Sequence, residues 1–143
     1  MKDTAIKSLY GNAKWIWTSE TGLCQFAEFY KEFDYKGENQ VFLEISAPTT
    51  YVVWVNGQYL FNGQYGDYDF YKVYDKLDIT SLVNQGKNSL AILAYNQGDD
   101  SFPYQYKTPA ITYSVYSGGN VLAIADNETL VRYSKIYKTV GNK

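Results

Sequence analysis

The 143 residues predict an all-β fold, an antiparallel β-sandwich in a single domain. Three observations predict it. Short runs of β-branched and aromatic residues alternate or run continuously, Asn-Gly and Gly-Gly turn signals separate them, and no amphipathic helix of useful length is present. Tyrosine is over-used, with 16 Tyr against 7 Phe and 3 Trp. Strand propensity accounts for part of that excess; the rest suits half-wet rings at strand surfaces, loop rims or an interface, because a buried phenol needs a hydrogen-bond partner.

Residues 1–13 read as a polar lead, 14–137 as the sandwich and 138–143 as a tail. Lys14-Trp15-Ile16-Trp17 reads as a short first strand, with Trp15 and Trp17 sealing one edge. Phe26–Tyr35 follows, carrying Phe29, Lys31, Phe33 and Tyr35 on one face, and Gly37-Glu38-Asn39 turns the chain. Gln40–Ala47 alternates, with Val41, Leu43, Ile45 and Ala47 pointing one way. Pro48-Thr49-Thr50 breaks that strand. Tyr51–Val55 runs into Asn56-Gly57, the dipeptide a type I′ hairpin prefers because both central residues need positive φ. Gln58–Phe61 is the return strand. Trp54 reads as a core or sheet-face residue, and Asn62-Gly63 as a second turn that leaves the sheet.

Gly66–Tyr74 reads as an irregular loop. Asp78 or Thr80 is placed to cap a single turn through Ser81-Leu82-Val83, and Gly86 to stop it in the left-handed region. Ser89–Tyr95 is apolar throughout, the pattern of a central strand covered on both faces. Asn96–Thr108 is a long polar-aromatic loop. Ala110–Tyr116, a Gly118-Gly119-Asn120 turn, Val121–Ala125, an Asp126-Asn127-Glu128 turn and Thr129–Tyr133 complete about eight strands.

Composition narrows the chemistry. The chain has no histidine, which removes Ser-His and Cys-His nucleophile pairs and histidine-ligated metal sites. Cys24 is the single cysteine and cannot form an internal disulfide; its apolar setting reads as a small buried hydrophobe. With 13 Lys+Arg against 15 Asp+Glu there is no nucleic-acid footprint, and no run of 18 apolar residues marks a membrane helix. The amino terminus lacks the apolar stretch of a signal peptide, so a cytoplasmic location is the expectation for this chain taken by itself.

The order Lys14-Trp15-Ile16-Trp17, Val41–Ala47, Trp54-Val55-Asn56-Gly57, Tyr74-Asp75-Lys76-Leu77-Asp78-Ile79-Thr80 and Gly86-Lys87-Asn88-Ser89-Leu90 resembles the galactose-binding-like jelly-roll domains that accompany glycoside hydrolases. It looks most like the amino-terminal domain of bacterial α-L-rhamnosidases, over roughly residues 14–133. The resemblance implies a non-catalytic accessory domain whose partner is the catalytic domain of a parent hydrolase. Carbohydrate is a second partner. Each motif also has a structural reason, so the scaffold is implied more firmly than a ligand.

Three site chemistries can be weighed. Hydrolysis of a glycosidic bond needs two carboxyl groups at a set separation; Asp67, Asp69, Asp75, Asp78, Asp99 and Asp100 form the densest acid set and read as solvated turn carboxylates. A structural calcium could use the oxygens of Asn96–Ser101, but that run lacks the spaced register of a defined calcium loop, so no cofactor is assigned. Carbohydrate needs a ring beneath its C–H face and polar groups at its hydroxyls. Two loops crowd both kinds: Tyr65, Tyr68, Tyr104 and Tyr106 are candidate stacking rings, and Asp67, Asp99 and Asp100 candidate hydroxyl acceptors. The competing reading is that these rings pack the loops down or face a partner protein.

Overall fold

A computed structural model describes residues 12–18, 25–37, 39–47, 50–63, 74–96 and 110–134. Nine strands lie among them: β1 (Gln25–Tyr35), β2 (Val41–Ser46), β3 (Tyr51–Val55), β4 (Gln58–Gly63), β5 (Asp75–Asp78), β6 (Gly86–Asn96), β7 (Thr112–Ser117), β8 (Asn120–Ile124) and β9 (Leu130–Tyr133). They form two antiparallel sheets, β4-β3-β6-β1-β9 and β5-β2-β7-β8. This is the all-β sandwich expected, and it fits a galactose-binding-like domain.

Period-two alternation builds the interior. Ala27, Phe29 and Phe33 of β1, Val53 and Val55 of β3, and Leu90, Ile92 and Ala94 of β6 meet Val41, Leu43 and Ile45 of β2 and Tyr113 and Val115 of β7 in one buried cluster. Burying one such aliphatic or aromatic side chain contributes roughly 1.5–3 kcal/mol. Lys31 shares the inward face of β1, as its position requires, and turns its ammonium onto Asp126 at 2.9 Å. Burial pushes the Asp126 carboxyl up, but Lys31 and the backbone amides of Glu128 and Thr129 outweigh it and leave the group below its ordinary value. Two phenols reach the interior, each with a partner. Tyr113 Oη and Thr129 Oγ1 lie 2.7 Å apart, and Tyr51 donates to Asp75.

The motif residues turn out to be joints. Asn56 (φ 51°) and Gly57 (φ 76°) make the type I′ turn of the β3–β4 hairpin. The Asn56 amide donates to Leu82 O at 2.9 Å and Asn88 Oδ1 at 2.8 Å, while its oxygen accepts from Ser89 N at 2.9 Å. Asn88, 2% exposed, donates on to Asn84 O and Gly86 O. The two halves of the sequence signature therefore bond to each other. Asp78 Oδ1 accepts from the N–H and hydroxyl of Thr80, at the start of a 3-10 turn over Thr80–Leu82.

Five expectations are corrected. Lys14–Trp17 contributes one bridge, Ile16 to Ile111, and not a strand. Trp17 packs on Phe29 with ring centroids 5.6 Å apart, but Trp15 is 40% exposed, so the two indoles do not seal an edge together. Asn62-Gly63 stays in β4, paired with Val52 and Tyr51. A β-carbon on Gly63 would stand 2.5 Å from the Phe61 ring and 2.8 Å from Tyr51 Oη, so this glycine serves close approach and not a turn. Gly86 has positive φ (97°) but opens β6; the 3-10 turn ends at extended Val83. Finally, β6 is closed on one face only: Leu90, Ile92 and Ala94 are buried, while Ala91, Leu93 and Tyr95 are half-buried on the other.

Candidate functional site

That second face of β6 is the centre of the candidate site. Strand register lines up residues across all five strands. Trp54 pairs with Tyr59 on one side and Ala91 on the other; Ala91 pairs in turn with Tyr30, and Tyr30 with Leu130. The outer face thus carries a transverse row Tyr59-Trp54-Ala91-Tyr30-Leu130, three aromatic rings interrupted by one methyl group. Beside it runs a second row, Asn62-Val52-Leu93-Glu28-Arg132, fixed by the same pairings. A groove of about 630 Å³ lies over these rows, lined by Trp54, Ala91, Leu93, Tyr30, Leu130 and the Glu28–Arg132 pair. Its volume falls in the range of small-molecule sites, about 300–1,000 Å³.

The walls have different environments. Leu130 is 66% exposed and Tyr30 39%, whereas Trp54 is half-buried; Tyr59, at the end of the row and outside the groove lining, is 61% exposed. Tyr30 donates from its hydroxyl to Glu32 Oε1 at 3.2 Å, and Lys87 meets the other Glu32 oxygen at 3.0 Å. Lys87 and then the Tyr30 hydroxyl hold the Glu32 carboxyl below its ordinary value. Arg132 donates through Nε to Glu28, half-buried at the groove edge. A guanidinium has five N–H donors and a carboxylate about four acceptor positions, so the pair keeps capacity for further polar partners.

A second, smaller groove of about 260 Å³ continues along β6, lined by Leu93, Tyr95, Phe26, Val52, Asn62 and Gly63. Leu93 belongs to both grooves. The Phe26 and Tyr95 rings flank this stretch with centroids 4.9 Å apart. The two grooves share Leu93 and follow one another along β6 from Ala91 to Tyr95, and are together called the trough below.

Tyr65, Asp67, Tyr68, Asp99, Asp100, Tyr104 and Tyr106 lie outside the described residues, as do Asp67-to-Asp69 and Cys24. Their points of attachment are described. Tyr51 pairs with both Gly63 near the end of β4 and Ala94 near the end of β6, so residues 64–73 and 97–109 are joined to the same end of the sheet. The trough leads towards that end. Among the described residues, no cluster of three or more His, Cys, Asp or Glu is placed to hold a metal ion.

Sequence reasoning does not single out the face residues as a site; it reads Trp54 as a core or sheet-face residue, and the structure puts it on the sheet face. The signal that could have found them is the unbroken apolar run of β6. Once one face is assigned to the core, Ala91 and Leu93 are left over on the other.

Comparison with known proteins places the fold. No family model matches the chain, and no curated protein matches it. Among solved structures, a GH78 family rhamnosidase of Bacillus sp. GL1 overlays 88% of this chain with a TM-score of 0.82 and 25% identity. The chain spans only 14% of the length of that rhamnosidase. An α-L-rhamnosidase from Dictyoglumus thermophilum overlays 85% of the chain at TM-score 0.66 and 19% identity, again over a small share, 16%, of its own length. A lectin from Pleurotus ostreatus, solved in complex with GalNAc, overlays 89% of the chain and 35% of its own length at TM-score 0.51 and 17% identity. The chain is similar to a carbohydrate-related accessory domain.

Proposed function

We propose that the chain is a non-catalytic accessory domain of a glycoside hydrolase of the α-L-rhamnosidase kind, one that supports the catalytic domain and contacts carbohydrate. The observation that carries this reading is the match of 88% of the chain to 14% of a GH78 rhamnosidase, with 25% identity. The sandwich corresponds to one unit of a much longer enzyme, and the joints that fix it, Asn56, Asn88 and Gly57, are scaffold residues. The common end of β4 and β6 supports the loop residues Tyr65, Asp67, Tyr68, Asp99, Asp100, Tyr104 and Tyr106 as one carbohydrate contact.

Two measurements test this. The purified chain incubated with a chromogenic aryl α-L-rhamnoside should release no aglycone above buffer. Turnover abolished by replacing one of the chain's own carboxylates would overturn the non-catalytic assignment. For the loops, calorimetric titration with L-rhamnose, galactose and a rhamnose-containing polysaccharide should give saturable heat that a Tyr104→Ala, Tyr106→Ala double variant loses. Unchanged heat in that variant removes the loops from the site.

A further inference from the structure

We infer that the trough on the outer face of the five-stranded sheet is a second carbohydrate site, one that takes an oligosaccharide and not a single sugar. The inference rests on the accessory-domain reading above and adds to it a location and a ligand size. Four observations carry it.

The first is the slot in the aromatic row. Trp54 and Tyr30 both pair with Ala91, so their Cα atoms stand two strand spacings apart, about 10 Å. Ala91, with only a methyl group, stands between Trp54 and Tyr30 in the groove lining and leaves open the space a larger side chain would fill. A pyranose ring is thin, and its axial C–H bonds give it an apolar face that packs on an aromatic plane.

The second is where the polar groups sit. On β1 and β9 the row carrying Glu28 and Arg132 is two residues from the row carrying Tyr30 and Leu130, about 7 Å; on β4 the bulge makes the step from Tyr59 to Asn62 three residues. That puts the Glu28 carboxylate and the Arg132 guanidinium in the same groove as the Trp54 and Tyr30 rings, while the Asn62 amide lines the neighbouring groove. A wholly apolar ligand would leave this charged pair facing it; hydroxyls at the rim of a sugar ring accept from Arg132 and donate to Glu28.

The third is length. From Ala91 to Tyr95 the trough extends about 13 Å along β6, longer than one pyranose ring, with the Phe26 and Tyr95 rings at its far stretch. The fourth is continuity: the trough points to the end of the sheet where residues 64–73 and 97–109 are attached. A glycan chain on the face would run towards the Tyr- and Asp-rich segments.

The test titrates the chain with short oligosaccharides cut from a soluble rhamnose-containing polysaccharide, and with L-rhamnose alone, following heat and tryptophan emission. The expected result is saturable oligosaccharide binding, weakened at least about tenfold by Ala91→Leu, which fills the slot, and by Trp54→Ala, which removes a wall. Ala91→Leu should keep the parent's unfolding midpoint, and the monosaccharide should bind at least about tenfold more weakly than the oligosaccharide. Ala91→Leu enlarges a half-buried surface residue, so it keeps the test decisive if Trp54→Ala folds poorly.

Unchanged affinity in Ala91→Leu would overturn the inference, as would loss confined to the Tyr104, Tyr106 double variant, or no binding by the parent chain. A concentration-dependent dimer dispersed by Trp54→Ala would also overturn it and give the face to a second copy. Absence of binding by the parent chain would also remove the carbohydrate contact proposed for the loops, whereas the other outcomes leave it standing; the non-catalytic assignment is tested separately, by turnover of the aryl rhamnoside.

Discussion

Asn56 shows what one residue does for this fold. It supplies the positive φ of the hairpin turn, and its amide ties β3 to Leu82, Asn88 and Ser89. Asn56→Ala should destabilise the chain by about 2–4 kcal/mol, read as a lower urea midpoint, because it removes the acceptor of the Ser89 N–H and the donor to Leu82 O and Asn88 Oδ1, and replaces asparagine, which tolerates positive φ, with a residue that does not. Asn56→Asp should be no better, since a carboxylate cannot donate to Leu82 O or Asn88 Oδ1. Gly63→Ala should cost about 1–3 kcal/mol by the same measurement, its methyl group colliding with the Phe61 ring and Tyr51 Oη. The Asn56-Gly57 turn was legible in the sequence because its chemistry is local. The identical dipeptide Asn62-Gly63 was not: nothing within the tetrapeptide says that Tyr51 and Asp75 crowd it from other strands.

Two phenols make stability depend on alkaline pH. Burial, then the hydrogen bond and charge of Asp75, pushes Tyr51 above its ordinary value of 10.0. For Tyr113 burial also dominates; its bond to Thr129 opposes the rise and the charge of Asp126 adds to it. The unfolded chain gives up these protons as pH passes about 10, while the folded chain keeps them. Their contribution is therefore whole below pH 10 and is lost as pH climbs beyond it. Urea midpoints should fall between pH 9 and pH 11, and Tyr51→Phe should flatten part of that fall.

At the scale of elements, pairing length sets local stability. β1 and β6 pair over 11 residues each and are flanked on both sides, whereas β5 and β9 are four-residue edge strands. Amide hydrogen exchange should be slowest in Phe29, Ile92 and their neighbours, and faster by orders of magnitude in β5 and β9. Equal protection across the sheet would contradict this. The Glu28–Arg132 pair joins β1 to β9, but with Arg132 79% exposed, Arg132→Ala should cost no more than about 1 kcal/mol. Strands β1, β2, β3 and β6 were legible from alternation or β-branched runs. Lys14–Trp17 was read as a strand from composition, yet only Ile16 finds a pairing partner. Its indoles signalled packing, and Trp17 does pack on Phe29, without a ladder.

At the scale of the molecule, the two-layer architecture could be read from strand count and turn spacing, and the motif order pointed to the rhamnosidase-type scaffold. The face with the trough could not. It exists only because residues from positions 28 to 132 fall into register across five strands, and no window of sequence contains that row. The loop residues chosen from sequence were local clusters of Tyr and Asp, the kind of signal a linear reading can see.

The pairing order has a consequence for how the chain is made. β1 is one of the first strands to leave a ribosome, yet its neighbours are β6, more than fifty residues later, and β9, the last strand described. β2 likewise waits for β5 and β7. Neither sheet can close until most of the polypeptide has emerged, so Phe29, Phe33, Val41 and Leu43 spend the early part of synthesis without their partners. Such long-range pairing belongs to folding on the millisecond-to-second scale. Stopped-flow refolding followed by tryptophan emission should fall in that window, and a nascent chain halted before β6 should be aggregation-prone until the strand that completes its centre is supplied.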